Sequence, residues 1–518
     1  MTFISFNYAL FLLIVLGIYW SMPRQSWRVF ILLIASLIFY ATIQSQYIPL
    51  LLIITLLNFH LAQAIGEPKD WRIANTKWNR RRLLVLWLGI VSNILVLLSF
   101  KYIPFILNSI GIFYNQPLML ETANLVENNL IAPLGLSFFC FECLAYLIDI
   151  YRGAPAATSL LEFTSYKLFF PKLISGPITR YHYLQNQLGM TSKKNSQVSI
   201  KIPALKFPSF EQITEGIWLI ATGAAKKALI ADNLGIFVEL SFGNLQRAGS
   251  GDLWLATVAY GLQLYLDFTA YVDMARGTAF LMGLSLPQNF DFPYFSTSIS
   301  EFWRRWHTTL GDWLRNYLYF PLGGSRVGLF RTCLNLLIVM LIAGIWHGAS
   351  WGFIVWGLLH GLALVIHRLV EAISQQLKFE KIWESWLGIL VSWLLTQSMV
   401  FGGWIFFRLP NLRDSMWVIN HWWGEDADVQ FADKVYLEAI GLERLQLVWL
   451  ICGVVVVMAV NYWFHCGLKL QLNWQLKVLL VPVFFFVIWL LAPEGLPYIY
   501  FDFYFSFYSP KYYPTTAA

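Results

Sequence analysis

Long apolar runs alternate with short polar loops along nearly the whole chain. An α-helix needs about 20 mostly apolar residues to cross a hydrocarbon layer about 30 Å thick. Backbone in lipid must satisfy its own hydrogen bonds, so we predict that each run is helical and expect about 11–12 transmembrane spans. The runs are Tyr8–Trp20, Val29–Tyr40, Tyr47–Ile65, Leu83–Phe100, Ile131–Tyr151, Ile213–Leu240, Leu253–Leu284, Cys333–Trp346, Trp351–Ile366, Trp386–Phe407, Leu447–Phe464 and Leu476–Leu491.

One further apolar stretch, Phe163–Tyr181, is interrupted by residues that break helices. It contains Pro171, Gly176 and Pro177. Irregular backbone at membrane depth is tolerated only where protein buries it or where it lines a cavity. We therefore predict a re-entrant element in this stretch, beside an active cavity.

A different pattern runs from Ser298 to Phe320, where apolar and charged side chains separate onto two faces of a helix. Ser298 precedes Glu301 by three residues, which is typical of a capped helix start. Helices rich in Trp and Arg lie in the membrane interface, so we predict one continuous interfacial helix with His307 on its apolar side. The apolar face consists of Trp303, Trp306, Leu310, Trp313, Leu314 and Tyr317, and the charged face of Glu301, Arg304, Arg305, Asp312 and Arg315.

The composition indicates that the outer surface of the chain meets lipid. Of its 518 residues, 58% are hydrophobic and 13% are charged, whereas soluble domains carry about 25% charged residues. The 24 Trp and 25 Tyr suit the aromatic belts at the two faces of a bilayer. The first basic residue is Arg24 and no cleavage site follows the first run, so we interpret that run as a retained helix rather than a signal peptide.

Basic residues in the loops predict the orientation of the chain. The loops after the first and third runs carry Arg24, Arg28 and the basic cluster Lys69–Arg82, whereas the loop after the fourth carries Glu121 and Glu127. Basic loops face the cytoplasm, so we predict a multi-pass protein of a bacterial inner membrane with its N-terminus outside. The net charge of +7 follows this loop pattern, and we therefore expect no nucleic-acid partner.

Two histidines are candidates for chemistry, because ionisable residues at membrane depth are costly and often mark reaction sites. His347 follows a long apolar run, and Gly344 and Gly348 beside it allow another backbone or a substrate to approach closely. From the residues alone, a structural role for His347 is equally open. A lone His307 on an apolar face is more often a hydrogen-bonded core residue than a catalyst.

Other ligand-like residues form weaker patterns. His360, His367 and Glu371 share one helical face, but no fourth ligand accompanies them, so we expect packing there and no metal site. Cys140 and Cys143 have the spacing of a redox or metal pair. Because no second pair lies nearby, we interpret them as buried core thiols.

A series of short segments follows one order between residues 131 and 370. The segments are Pro133–Phe139 with Tyr146–Asp149, Phe170–Pro177, Lys226–Asp232, Tyr260–Phe268 running to Asp273–Met274, Pro287–Phe290, Ser298–His307, Tyr319–Gly324, Trp346–Trp351 and Trp356–Gly361. Taken together, this series resembles the membrane-bound O-acyltransferase (MBOAT) family, in particular its bacterial branch of alginate O-acetyltransferases.

The resemblance implies an all-α polytopic membrane protein, a helical bundle with re-entrant and interfacial helices around a central tunnel. It implies catalytic roles for His347, within Trp-His-Gly, and for His307, after Phe-Trp-Arg-Arg-Trp. We expect a catalytic core over residues 1–382 and additional transmembrane helices with an aromatic tail over 383–518. Side chains expected to line the tunnel or bind substrate are Ser175, Asp267, Asp273, Trp303, Arg304, Arg305, Trp306 and Trp346.

The implied activity is transfer of an acetyl group from cytoplasmic acetyl-coenzyme A across the membrane, for O-acetylation of an extracellular polysaccharide. Acetyl-coenzyme A is expected as a substrate, with no tightly bound cofactor, and an SGNH or esterase-like protein is the expected extracytoplasmic partner. Neutral imidazole, with a reference pKa of about 6.5, suits activation of a hydroxyl. We assign that role to His347, while His307 orients the acceptor or polarises the thioester.

Alternatives stay open at this point. A D-alanyl or longer-acyl donor would fit the same family, and a transporter or flippase would also fit broken helices around a cavity. At the C-terminus, Pro497–Phe503 resembles a short aromatic motif of related acyltransferases, in which Tyr500 occupies the position of an acyl relay. An aromatic anchor at the membrane interface is the alternative role of Tyr500.

Overall fold

The structure, a computed structural model, describes residues 2–66, 75–188, 193–194, 198–199, 206–470, 472–492 and 496–499. Two compact units divide the chain. The first comprises Met1–Ile220, Tyr271–Gln288 and Tyr498–Ala518, and the second comprises Ala221–Ala270 and Asn289–Pro497.

The N-terminal part of the chain is almost entirely helical. A two-residue antiparallel ladder pairs β1 (Lys193–Lys194) with β2 (Val198–Ser199). The α-helices are α1 (Phe6–Ser21), α2 (Gln25–Gln44), α3 (Ile48–Gly66), α4 (Asn75–Leu97), α5 (Ile103–Phe113), α6 (Pro117–Asn129), α7 (Leu136–Tyr151), α8 (Leu160–Lys167), α9 (Tyr181–Gln187) and α10 (Phe210–Ala225).

The rest of the chain continues as helices. These are α11 (Asp232–Gly243), α12 (Ser250–Leu281), α13 (Ile299–Arg305), α14 (Thr308–Leu314), α15 (Leu329–His347), α16 (Trp351–Leu377), α17 (Glu380–Glu384), α18 (Trp386–Arg408), α19 (Leu412–Asn420), α20 (Val429–Phe431), α21 (Arg444–Tyr462) and α22 (Trp474–Leu491). Short 3₁₀ turns occupy Ser45–Tyr47 and Pro293–Phe295, and π-helical turns occupy Leu98–Tyr102, Lys226–Ala231, Arg315–Tyr319, Ala432–Ile440 and Trp463–Gly467.

Seven helical stretches of the described chain are long and apolar enough to cross a membrane. They are Gln25–Gly66, Asn79–Phe113, Leu329–His347, Trp351–Leu377, Trp386–Arg408, Arg444–Gly467 and Trp474–Leu491. The helices of the remaining predicted runs are shorter or carry more polar residues. Helices make up the described chain apart from its loops and the β1–β2 ladder, and several of them are apolar and long enough to span a membrane, which confirms the prediction of an all-α polytopic membrane protein.

The stretch predicted to be broken is irregular and buried within the first unit. After α8, residues 168–180 form no regular helix, and nearly all of them are buried. Their backbone polar groups find partners on neighbouring elements: the Phe170 amide donates to Ser36 Oγ at 3.1 Å, and the Tyr166 hydroxyl donates to the Thr179 carbonyl at 2.7 Å. Buried, interrupted backbone is therefore present here, and the re-entrant element beside an active cavity stays a prediction.

In the second unit, glycines let α15 and α16 touch along their backbones. A Cβ on Gly344 would lie 2.3 Å from the Phe353 carbonyl oxygen, and a Cβ on Gly357 would lie 2.5 Å from the Met340 carbonyl oxygen. No side chain fits at either position without separating the helices. This close approach fixes the end of α15, where His347 lies.

Candidate active site

His347 is the last residue of α15, and the chain turns immediately after it. A Cβ on the following Gly348 would lie 2.0 Å from the ring of Phe353 on α16, so a side chain at this position would displace that ring. The His347 residue is 6% exposed. The turn therefore holds this imidazole inside the second unit at the end of an apolar helix.

Three aromatic rings surround His347. The ring centroids of Trp346, Trp356 and Phe407 lie 4.8, 5.1 and 5.0 Å from that of His347, each in an edge-to-face arrangement. Such contacts fix the orientation of a ring without supplying a charge. The imidazole lies in surroundings of low polarity, where electrostatic interactions with a substrate are strong.

The predicted interfacial helix is broken at His307. The structure has two short helices, α13 and α14, and His307 between them adopts the left-handed conformation with φ of 44°. The Ser298 hydroxyl does cap α13, as predicted, by accepting from the Glu301 amide at 3.1 Å. The prediction of one continuous helix over Ser298–Phe320 is therefore wrong beyond Arg305.

Asn289 supplies the physical reason for the break. Its carbonyl accepts from the Thr308 amide at 2.9 Å, and its side-chain oxygen accepts from the Thr309 hydroxyl at 2.6 Å. Asn289, in a distant loop, thus supplies hydrogen-bond acceptors for the first residues of α14. The start of α14 therefore does not need hydrogen bonds that continue from α13. A left-handed non-glycine residue is strained, and such strain concentrates at functional sites.

His307 is fully buried within the second unit. Its ring centroid lies 4.9 Å from that of Phe268 and 6.3 Å from that of Trp346. His307 lies outside the spanning stretches, and burial lowers its pKa to about 3. The imidazole of His307 is therefore neutral at physiological pH.

Trp346 contacts both predicted catalytic histidines, and Trp356 extends the chain of rings to a third. The Trp356 centroid lies 5.1 Å from that of His347 and 4.7 Å from that of His360. We name His307, Trp346, His347, Trp356 and His360 the histidine cluster.

His360 is the member of the histidine cluster that sequence reasoning assigned to packing. It is fully buried, and the Trp303 indole nitrogen donates a hydrogen bond to His360 Nδ1 at 3.3 Å. One signal was available: Trp356 and His360 are four residues apart, on one helical face, within a segment that carried the family resemblance.

The other residues predicted along Ser298–His307 separate into two groups. Trp306 is buried, with its ring centroid 5.0 Å from that of Trp404. Arg304 is exposed and hydrogen-bonds to Ser300 on its own helix, and Arg305 pairs with Glu301 at 2.7 Å. The structure thus places the tryptophans with the histidine cluster and pairs both arginines within α13.

Asp267 belongs to a buried ion-pair group in the second unit. Lys227 Nζ lies 2.8 Å from Asp267 Oδ1 and 2.7 Å from Asp232 Oδ1, and all three side chains are at most 2% exposed. Sequence reasoning missed Lys227 and Asp232. The available signal was that these three charged residues lie inside two apolar runs, where an ionisable group normally needs a partner.

Ser175 and Asp273 lie in the first unit. The Ser175 amide donates to the Tyr271 hydroxyl at 3.4 Å, and Asp273 lies 3.7 Å from Arg276, one helical turn along α12. The structure thus gives these two predicted tunnel residues neighbours within the first unit.

The first unit contains a second charged group that sequence reasoning missed, which we name the Glu142 centre. Glu142 accepts from Lys172 Nζ at 2.5 Å, from Lys167 Nζ at 3.2 Å, and from the amide and hydroxyl of Thr179 at 3.1 and 3.2 Å. All four residues are buried. The centre ties α7 and α8 to the irregular segment 168–180.

The two remaining predictions concern Tyr500 and metal binding. Tyr500 lies outside the described residues. Tyr498 and Ile499 just before it are 1% and 7% exposed. Among the described residues, no group of three or more His, Cys, Asp or Glu is arranged to hold a metal ion.

Comparison with known proteins identifies the family. The sequence profile of the membrane-bound O-acyltransferase family matches residues 38–401. The chain is 36% identical to a probable alginate O-acetylase of Pseudomonas putida, over 78% of this chain and 76% of that protein. It is 34% identical to the peptidoglycan O-acetyltransferase of Helicobacter pylori (75% and 72%) and 27% identical to the teichoic acid D-alanyltransferase of Streptococcus thermophilus (64% and 85%). The chain therefore belongs to the membrane-bound O-acyltransferase family and is a multi-pass O-acyltransferase.

Proposed function

We propose that this enzyme moves an acetyl group from cytoplasmic acetyl-coenzyme A across the membrane for O-acetylation of an extracellular polysaccharide. The observation that carries this proposal is the buried imidazole of His347, enclosed by three aromatic rings at the end of an apolar helix. Relatives with 34–37% identity that are named for acetylation of alginate or peptidoglycan support the acetyl group and a polymeric acceptor.

The proposed chemistry is general-base catalysis by His347. Its neutral imidazole takes the proton from the acceptor hydroxyl while the hydroxyl oxygen forms a bond to the acyl carbon. The carbon–sulfur bond then breaks, and the coenzyme A thiolate receives the proton from the imidazolium. A hydroxyl is a poor nucleophile at neutral pH, so the base must lie within about 3 Å of it.

His307 is proposed to orient the acceptor or to polarise the thioester carbonyl. Its low pKa supports a hydrogen-bonding role for a neutral ring rather than a role for a charged one. The ring contacts through Trp346 support action of His307 and His347 in one site.

The C-terminal segment and a partner protein complete the proposed route. Tyr500 is proposed to hold the acetyl group before an SGNH or esterase-like protein outside the cytoplasm transfers it to sugar hydroxyls. In the same proposal the chain lies in a bacterial inner membrane with its N-terminus outside, and Arg24 and Arg28 in the cytoplasm.

The proposal is tested with His347→Ala in membrane vesicles supplied with acetyl-coenzyme A that is radiolabelled in the acetyl group. Loss of the base should lower label transfer at least about 10²–10⁴-fold without changing the amount of inserted protein. His60→Ala, which removes an exposed histidine, is the matched control. Near-normal transfer by His347→Ala would remove this residue from the mechanism.

D-alanyl transfer is the second candidate function, because two more distant relatives are teichoic acid D-alanyltransferases at 27% and 25% identity. The donor distinguishes the two activities. Label that enters polymer from D-alanine on a carrier protein, but not from acetyl-coenzyme A, would replace the acetyl proposal with this one.

A further inference from the structure

Lys227, the buried lysine of the second unit, has a third partner besides the carboxylates of Asp232 and Asp267. Lys227 Nζ donates to the carbonyl oxygen of Pro497 at 3.0 Å. An ammonium group has three donors, and these three contacts supply an acceptor for each. The side chain of Lys227 thus joins the π-helical turn Lys226–Ala231 and α12 to the main chain of the C-terminal segment, which the structure describes over residues 496–499.

The residue before Pro497 lies against the second unit. A Cβ on Gly235 would lie 3.0 Å from a methyl group of Leu496. The Pro497 carbonyl therefore meets a buried cation, and the Leu496 side chain packs against α11. Recognition through the main chain fixes the register of a segment whatever its side chains are.

Within the first unit, the next residue of the C-terminal segment packs against α12. The ring of Tyr498 lies 5.4 Å from that of Tyr271, and its hydroxyl lies 3.9 Å from the sulfur of Met274. Tyr271 and Met274 are three residues apart and so lie on one face of α12. Tyr498 is 1% exposed.

We propose that Lys227, held by Asp232 and Asp267, is a positioning residue that clamps the C-terminal segment at Leu496 and Pro497, a few residues before the proposed relay Tyr500 in the sequence. This inference rests on the proposed function, because Tyr500 matters for transfer only as the acyl relay. A displacement of about 1 Å at a reacting group can cost about 10²-fold in rate, so the clamp controls turnover from a distance.

The clamp is tested first without any activity, by hydrogen–deuterium exchange of the full-length protein in detergent. In Lys227→Met, the amides of Leu496 and Ile499 should exchange at least about tenfold faster, because a hydrogen bond to a charged group is lost. Amides of α15 and α16 should be unchanged, which excludes general unfolding. Lys226→Met, which removes the neighbouring lysine, is the matched control and should leave the C-terminal amides protected.

A second variant covers the case in which Lys227→Met does not fold because two carboxylates are left unpaired. The triple variant Lys227→Met, Asp232→Asn, Asp267→Asn removes all three charges at nearly constant volume. It should fold and show the same faster exchange at Leu496 and Ile499. Unchanged exchange in whichever of the two variants folds would overturn the clamp.

Transfer kinetics then test positioning. The clamp variant should lower kcat about 10²-fold while the KM for acetyl-coenzyme A stays within about twofold, because the proposed clamp acts on the C-terminal segment and not on donor binding. Faster exchange with an unchanged kcat would overturn the positioning role. Absence of acetyl transfer by the wild-type protein would instead refute the proposed function, and the exchange experiment would still decide whether the clamp exists.

Discussion

The histidine cluster and the Glu142 centre are both buried groups of polar side chains in a membrane protein, but their surroundings differ. Four donors surround Glu142, including two lysines at 2.5 and 3.2 Å. His347 and His307 instead lie among Trp346, Phe268 and other aromatic rings. One group is a saturated ion pair, and the other presents imidazoles in an apolar enclosure.

This difference distinguishes buried polar residues that hold the fold from buried polar residues that take part in the reaction. A carboxylate whose oxygens all have donors has little capacity left for a substrate, and it holds its neighbours in place. A neutral imidazole can hydrogen-bond through both ring nitrogens, one as donor and one as acceptor. We therefore expect variants of the Glu142 centre to lose stability, and variants of the histidine cluster to lose transfer.

The largest expected effect on stability is that of Glu142→Gln. It leaves Lys167 and Lys172 buried without their counter-charge, and breaking a buried ion pair from one side costs about 3–5 kcal/mol. Thermal unfolding of the purified protein in detergent measures the loss. The triple variant Glu142→Gln, Lys167→Met, Lys172→Met should recover most of the stability, because no unpaired charge remains.

The contrast between the Glu142 centre and the histidine cluster would be contradicted if Glu142→Gln unfolded at the wild-type temperature and yet transferred no acetyl group. That result would give Glu142 a part in the chemistry rather than in holding segment 168–180. A loss of stability with normal transfer per folded molecule supports the structural role.

The next effect in size is the pH dependence of the free energy of unfolding that His307 contributes. Its pKa is about 3 in the folded protein and about 6.5 when unfolded. Between these values the unfolded state binds the additional proton, so the stabilising contribution is complete above pH 6.5 and falls as the pH drops toward 3. Lowering the pH from 7.5 to 5 should therefore cost about 2 kcal/mol through this residue.

Thermal unfolding of wild type and His307→Phe across that pH range measures the contribution of His307. The wild-type midpoint should fall more steeply with acid than the midpoint of the variant. His60→Phe, at an exposed position, should keep the wild-type slope. Equal slopes for wild type and His307→Phe would mean that His307 is protonated in the folded state, and the enclosure would not be apolar.

The sequence predicted what depends on neighbouring residues and missed what depends on distant ones. Apolar runs predicted the helices, and the Ser298 cap formed as expected, since both follow from local chemistry. The break at His307 requires Asn289, and the Glu142 centre joins residues 25 to 37 positions apart. No pattern of spacing encodes such pairings, although lone charges within apolar runs indicate that partners exist.

The smallest expected effect, from Trp303→Phe, sharpens the comparison within the histidine cluster itself. An indole only donates, so the bond from Trp303 requires His360 Nδ1 to be the acceptor and places the proton of the neutral ring on Nε2. Removing the donor should cost about 1 kcal/mol and release the ring to adopt either tautomer. Nitrogen chemical shifts of labelled histidine would report the change, and Trp423→Phe, at a residue 78% exposed, is the control. If transfer falls severalfold together with the tautomer change, His360 acts with the other two histidines. If only stability falls, His360 belongs with Glu142 among the residues that hold the fold.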